Sequence, residues 1–245
     1  MEMFLLIAIV SFAVYIIKKN QYKKTEYYFQ TGNPYINLPF NKGRSGEFLT
    51  YKYLKSLDGY KKFLFNVYLP KENGNTTEID VILLHESGIY VFESKNYSGW
   101  IFGTETQQYW TQTLPIGYGR TKKFKFFNPI IQNKVHLKWL HKFLKYERPL
   151  PFYSYIIFSD CCTLKNITLS SGNHFVINLY NILPAVKNNA ANVGIQLTPT
   201  EIDNLYKKLY PLTIISEAQK IAHVENVQRK TTDYYKYRWY EPHKK

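Results

Sequence analysis

Residues Thr77 to Gly103 read T-E-I-D-V-I-L-L-H-E-S-G-I-Y-V-F-E-S-K-N-Y-S-G-W-I-F-G. The pattern predicts two β-strands joined by a short turn. The first, Glu78–Leu84, carries Asp80 in an otherwise apolar run; in the second, Gly88–Lys95, four apolar residues precede Glu93, Ser94 and Lys95. Strand side chains alternate faces, so Glu93 and Lys95 share one. His85–Gly88 suits a hairpin turn, and antiparallel pairing across it brings Asp80 near Glu93. Two carboxylates and a lysine at the ends of apolar strands are costly to bury unpartnered. A divalent cation offsets that cost, because hard cations take carboxylate oxygens.

Outward from this hairpin, Gly43–Leu57 spaces Phe48, Tyr51, Leu54 and Leu57 three or four apart, as a helix requires. Glu47 is expected in its first turn, where the helix dipole favours a carboxylate. Phe63–Leu69 is a predicted strand, and Asn73-Gly74-Asn75 marks the turn after it. Beyond Lys95, short strands are expected at Ser98–Phe102 and Gln108–Leu114. Pro115–Lys125 reads as a glycine-containing basic loop, either covering a phosphate backbone or simply solvated. Asn128–Tyr146 is a helix with Asn128 as cap and Pro129 at its first position. Its expected apolar side is Ile131, Val135, Leu137, Leu140 and Leu144, and Gln132 and His136 share a face one turn apart. Lys134, Lys138, Lys142 and Lys145 give it a basic side. Strands follow at Phe152–Ser159 and Asn173–Asn178. Strand, helix, strand implies a crossover and α/β layering. Thr198 and Glu201 form a capping box for a helix ending near Leu209, and a last helix spans Ser216–Lys230. The basic aromatic tail Tyr234–Tyr240 suits base stacking, a membrane surface or packing on the domain.

The N-terminal Met3–Ile17 holds fifteen residues without a charge, followed by Lys18 and Lys19. As a helix it spans about 22 Å, against a bilayer core of about 30 Å, with flanking lysines able to snorkel. Glu2 in the leading region and the lack of a small-x-small site argue against a cleaved signal peptide. The segment is therefore expected to be a membrane anchor. The lysines on its C-terminal side place the remainder in the cytoplasm, giving a single-pass cell-membrane protein. The expected division is anchor 1–19, tether 20–41, α/β domain 42–185, and C-terminal helical extension with tail 186–245.

The 245 residues carry 32 basic and 18 acidic side chains, a formal charge of +14. Such an excess favours a polyanionic partner, nucleic acid or an anionic membrane. The two cysteines, Cys161 and Cys162, are adjacent, which excludes a disulfide scaffold and a cysteine zinc site. The histidines lack partners at zinc-ligand spacing.

Gly46-Glu47, Ile79-Asp80, the run Glu93-Ser94-Lys95-Asn96-Tyr97-Ser98-Gly99-Trp100-Ile101-Phe102-Gly103, Trp110, Asn128-Pro129-Ile130, Gln132 and His136 together resemble the nuclease-related domain family, and through it the PD-(D/E)XK nucleases. The resemblance covers roughly residues 40 to 150. It implies a restriction-endonuclease-like central mixed sheet flanked by helices. It implies phosphodiester hydrolysis, of DNA, with Mg²⁺ or Mn²⁺ held by Asp80, Glu93 and Glu47. Lys95 would orient water and stabilise charge, and Gln132 would orient a water or hold Lys95. Lys122, Lys123, Lys125, Lys134 and Lys138 are the expected nucleic-acid contacts. Asn96, Tyr97 and Trp100 are expected to be architectural, as turn former and aromatic core. The alternative is an inactive nuclease fold that binds nucleic acid or a partner at the membrane.

Overall fold

In the computed structural model, the backbone is described for residues 1–72, 74–172 and 174–238, and side chains for the same residues except 2, 227 and 230–238. The expected turn residue Asn73, the first residue of the expected strand Asn173–Asn178, and the side chains of the aromatic tail lie outside the described residues.

Strands β1 (Lys61–Pro70), β2 (Thr76–His85), β3 (Gly88–Lys95), β7 (Phe152–Phe158) and β9 (His174–Asn178) form one mixed sheet in the order β1-β2-β3-β7-β9. β1, β2 and β3 pair antiparallel, whereas β3, β7 and β9 run parallel. The parallel step from β3 to β7 is made by a connection containing helix α4 (Pro129–Leu144). Alternation sends the apolar residues of each strand to two faces, and each face is covered by helices. One face buries Phe63, Phe65, Val81, Leu83, Tyr90 and Phe92 against Tyr51 and Leu54 of α3 (Lys42–Leu54) and Ile182 and Val186 of α5 (Ile182–Val193). The other buries Leu64, Ile82, Leu84, Ile89 and Val91 against Leu140 and Leu144 of α4 and Ile202, Leu205 and Leu209 of α6 (Pro199–Leu209). Each fully buried side chain of this kind contributes about 1.5–3 kcal/mol. The Thr198–Glu201 capping box starts α6 as expected.

A second sheet was not expected as such. Strands β4 (Gly99–Thr104), β5 (Tyr109–Pro115), β6 (Thr121–Phe127) and β8 (Cys162–Thr168) line up as β6-β5-β4-β8. The expected basic loop at 115–125 is largely strand: β6 pairs antiparallel with β5, leaving a short tip closed by the Ile116 N–H to Arg120 carbonyl bond. Trp110, fully buried, joins the sheets, its ring 6.1 Å from that of Phe158 and its indole N–H donating to the Thr104 carbonyl. Gly103 is required there, since a Cβ would fall 2.3 Å from the Trp110 ring. Trp100, expected in the core, is instead 40% exposed. β4 turns it outward and Ile101 inward.

Helix α1 (Glu2–Lys23) is the apolar N-terminal helix, long and apolar enough to cross a membrane by length and composition. Residues 20–41, expected as a tether, are instead folded against the domain. They form the end of α1, helix α2 (Glu26–Thr31) and a 3₁₀ turn, Tyr35–Phe40. Tyr22, Tyr27 and Leu38 are buried in the same core as α3. The Tyr22 ring lies 5.3 Å from Tyr35 and 5.0 Å from Phe48, and its hydroxyl donates to the Asn33 carbonyl. A last helix, α7 (Glu217–Arg238), follows α6.

Candidate active site

Asp80 and Glu93 meet where the β2–β3 ladder ends. The last paired residues are Val81 and Phe92, and one step on, Asp80 faces Glu93. The Ser94 N–H donates to Asp80 Oδ2 at 2.9 Å. Glu93 is 2% exposed. One of its oxygens accepts from Lys95 Nζ at 2.6 Å, and the other lies 3.2 Å from His136 Nε2. Lys95 Nζ also donates to Gln132 Oε1 at 3.1 Å. Gln132 and His136, one turn apart on α4, thus reach Lys95 and Glu93 respectively. Nδ1 of His136 lies 2.9 Å from the Thr77 hydroxyl. An ionised carboxylate only accepts, so Nε2 carries a proton that points to Glu93.

Glu47 approaches from α3. It sits in the second turn of that helix, not the first, because Asn41 is the cap and accepts the Arg44 N–H. The helix dipole is therefore not its main support. The fully buried Tyr27 hydroxyl donates to Glu47 Oε2 at 3.0 Å and accepts from the Asn33 side chain at 3.1 Å. Gly46 lets α3 close on the site: a Cβ would meet Ser94 Cβ at 3.1 Å. Thr50 and Ser94 hydroxyls lie 3.3 Å apart beside it. Asn96 ties the end of β3 to the start of α3 through the Lys42 carbonyl. A cleft of about 160 Å³ opens along Ser94–Asn96, walled by Gly46, Leu49, Ile157 and Cys161.

The carboxylates differ in charge preference. Burial raises Asp80 well above the usual range, and the charges of Glu93 and Glu47 push it further. Glu47 is raised to about 7, by burial, against the opposing hydrogen bond from Tyr27. Burial would raise Glu93 as well, but Lys95 and His136 outweigh it and hold it at about 2. Burial opposes charge on Lys95, yet Glu93, Tyr97 and Asp80 together outweigh burial and raise it. The site thus has one committed anion, Glu93, and two carboxyls short of positive charge, Asp80 and Glu47. Such hard oxygens short of positive charge fit a divalent cation. Among the described residues no three of His, Cys, Asp or Glu are gathered closely enough to hold an ion by themselves. Glu93 retains lone pairs beyond the two it uses.

Two neighbours were missed in the sequence. Glu78 shares the strand with Asp80, two residues away. It accepts from the Tyr68 hydroxyl at 2.7 Å and is raised, by burial and then by Glu93. Its spacing was the available signal. His136 was placed on one face with Gln132 and within the family resemblance, but it was given no role at the site. The expected nucleic-acid lysines divide between two elements. Lys122, Lys123 and Lys125 lie on β6, where Lys122 sits over the Phe124 ring and Lys125 donates to Thr111. On α4, Lys134 pairs with Glu105 at 3.0 Å, and Glu105 also accepts from Ser170 and Ser171. Lys134 therefore serves a structural knot. Val135, expected on the apolar side of α4, is exposed, and Ile130 and His136 are buried in its place.

A mixed sheet between helices, with acidic residues and a lysine at the splayed ends of neighbouring strands, is the arrangement of a nuclease-like α/β protein. The chain belongs to the nuclease-related domain family, whose signature matches residues 42–159, within the PD-(D/E)XK-like superfamily. An uncharacterized protein of Bacillus anthracis is 35% identical over 195 residues, 79% of this chain and 87% of that relative. No solved structure matches it. Domains of this superfamily typically use divalent metals.

Proposed function

We propose that this protein is a membrane-anchored, Mg²⁺- or Mn²⁺-dependent nuclease that hydrolyses phosphodiester bonds in DNA. The observation that carries the reading is the convergence of Asp80, Glu93, Lys95 and Gln132 at the end of the β2–β3 ladder. Asp80 and Glu93 would hold the cation, with the Ser94 carbonyl and Glu47 completing the shell directly or through water. When bound, it supplies positive charge at the scissile phosphate and makes a bound water easier to deprotonate.

The chain's own residues do the rest. Lys95 is kept charged by Glu93 and aimed by Gln132, so it can orient the attacking water and stabilise charge developing on the phosphate. His136, held by Thr77, fixes the Glu93 carboxylate from behind. Glu47 is held toward the site by the Tyr27 hydroxyl. The charge of +14 and the basic β6 strand favour a polyanionic substrate. The apolar α1 helix is read as the anchor, with the domain on the cytoplasmic side.

The test is cleavage of plasmid and linear DNA by the full chain in detergent micelles with Mg²⁺ or Mn²⁺. Cleavage is expected, with loss in Asp80→Ala and Lys95→Ala. Absent cleavage, together with metal-indifferent DNA binding that survives Asp80→Ala, establishes the inactive binding fold instead.

A further inference from the structure

The apolar helix and the domain are not independent bodies. Tyr15 packs on Tyr35 with ring centroids 5.7 Å apart, and Tyr22 is buried under the domain. Met3–Val14 stands clear of it, twelve residues along which every large apolar side chain is exposed. At 1.5 Å per residue these twelve span about 18 Å. A bilayer core is about 30 Å thick. The part of α1 that continues from this stretch is flanked by the domain, so if α1 crosses the membrane the domain surface beside Tyr15 lies at the lipid boundary.

The surface at that level suits the interface. The 3₁₀ turn Tyr35–Phe40, alongside α1, leaves Ile36 58% and Phe40 86% exposed. Tyr15 and Tyr35 supply the amphipathic rings favoured at a membrane–water boundary. Residues 15–44 carry six basic side chains, Lys18, Lys19, Lys23, Lys24, Lys42 and Arg44, against one acid, Glu26. Glu26 is turned inward, accepting from Gln30 and from the Phe63 N–H. Basic residues near an anionic leaflet are attracted to it.

We propose that the 3₁₀ turn Tyr35–Phe40 is a membrane-seating surface, with Ile36 and Phe40 inserted among anionic lipid headgroups while α1 spans the bilayer. The seat holds the domain directly against the lipid rather than on a tether. This rests on the anchor reading of α1. It also gives Glu47 a short structural route to the membrane, through Tyr27, Asn33 and Tyr22.

The experiment uses the full chain carrying Cys161→Ser and one added cysteine, Ile9→Cys, Ile36→Cys, Phe40→Cys or Tyr180→Cys. Each is labelled with a nitrobenzoxadiazole probe and reconstituted into phosphatidylcholine–phosphatidylglycerol vesicles. Emission and quenching by spin-labelled lipids are read for each position. The probe at 9 should be blue-shifted and quenched by deep labels, those at 36 and 40 by shallow labels, and that at 180 by neither. Quenching at 9 with 36 and 40 behaving like 180 overturns the seat and leaves the anchor standing. No quenching at 9 overturns the anchor and the seat with it.

Discussion

Replacing Asp80 with asparagine should stabilise the metal-free protein while abolishing its chemistry. Asp80 is a carboxyl that burial and the charges of Glu93 and Glu47 disfavour in ionised form. Its compensations are the Ser94 N–H at 2.9 Å, which an asparagine oxygen can also accept, and the more distant charge of Lys95. Relief of such functional strain is worth roughly 0.5–2 kcal/mol. For a chain of this size each kcal/mol moves the unfolding midpoint about 2–4 °C.

The sign with pH follows from linkage. A carboxyl raised in the folded state binds more protons folded than unfolded, so its penalty is absent below the ordinary carboxylate range. The penalty grows as pH rises from there through the raised pKa. The advantage of Asp80→Asn should therefore be negligible well below the ordinary aspartate pKa of about 3.9 and full at alkaline pH. The assay is thermal unfolding of the full chain in detergent, in EDTA and in Mn²⁺, across that range. With Mn²⁺ at one hundred times its Kd, wild type gains about 2.7 kcal/mol, which the variant lacks, and the ranking reverses. An Asp80→Asn protein less stable than wild type in EDTA at pH 8, or one with the same Mn²⁺ shift, refutes the reasoning.

Tyr27→Phe keeps the buried ring but removes the donor to Glu47, costing about 1 kcal/mol in urea unfolding. Since that bond lowers Glu47, its pKa should rise further above about 7, and the pH at which Mn²⁺ affinity climbs in calorimetric titration should move upward with it. Gly103→Ala places a methyl 2.3 Å from the Trp110 ring and should cost about 1–3 kcal/mol or more, read as a lowered midpoint with quenched or shifted tryptophan emission. A chain begun at Lys42, where the family signature starts, loses the buried Tyr22, Tyr27 and Leu38, at about 1.5–3 kcal/mol each. That sum approaches the usual net stability of a domain, so circular dichroism should find it unfolded or much less stable than a chain begun at Lys18.

What could be read in advance was what neighbouring residues decide together. The β2–β3 hairpin follows from two apolar runs around a polar turn, and it alone brings Asp80, Glu93 and Lys95 into range. Gln132 was legible because Asn128 and Pro129 fix where α4 starts and hence which face it shows. Tyr27 was not, because its contact with Glu47 spans twenty residues and crosses a segment whose Tyr22, Tyr27 and Leu38 follow no helical or strand period. The same irregularity made residues 20–41 look like a tether. β6 was hidden by composition: T-K-K-F-K-F-F is too basic to read as strand until its pairing with β5 is known. Trp100 was expected in the aromatic core and Val135 on the apolar side of α4, but the alternation of β4 and the facing of α4 turn both outward.

The most direct measurement is anomalous diffraction at the manganese edge from crystals of the full chain grown with Mn²⁺. One peak between the carboxylates of Asp80 and Glu93, with Lys95 Nζ near a metal-bound water and the peak lost in Asp80→Asn, is the result expected. Ordered side chains at 80, 93 and 95 with no peak between them, in a protein that still cleaves DNA, would contradict the assignment of this site.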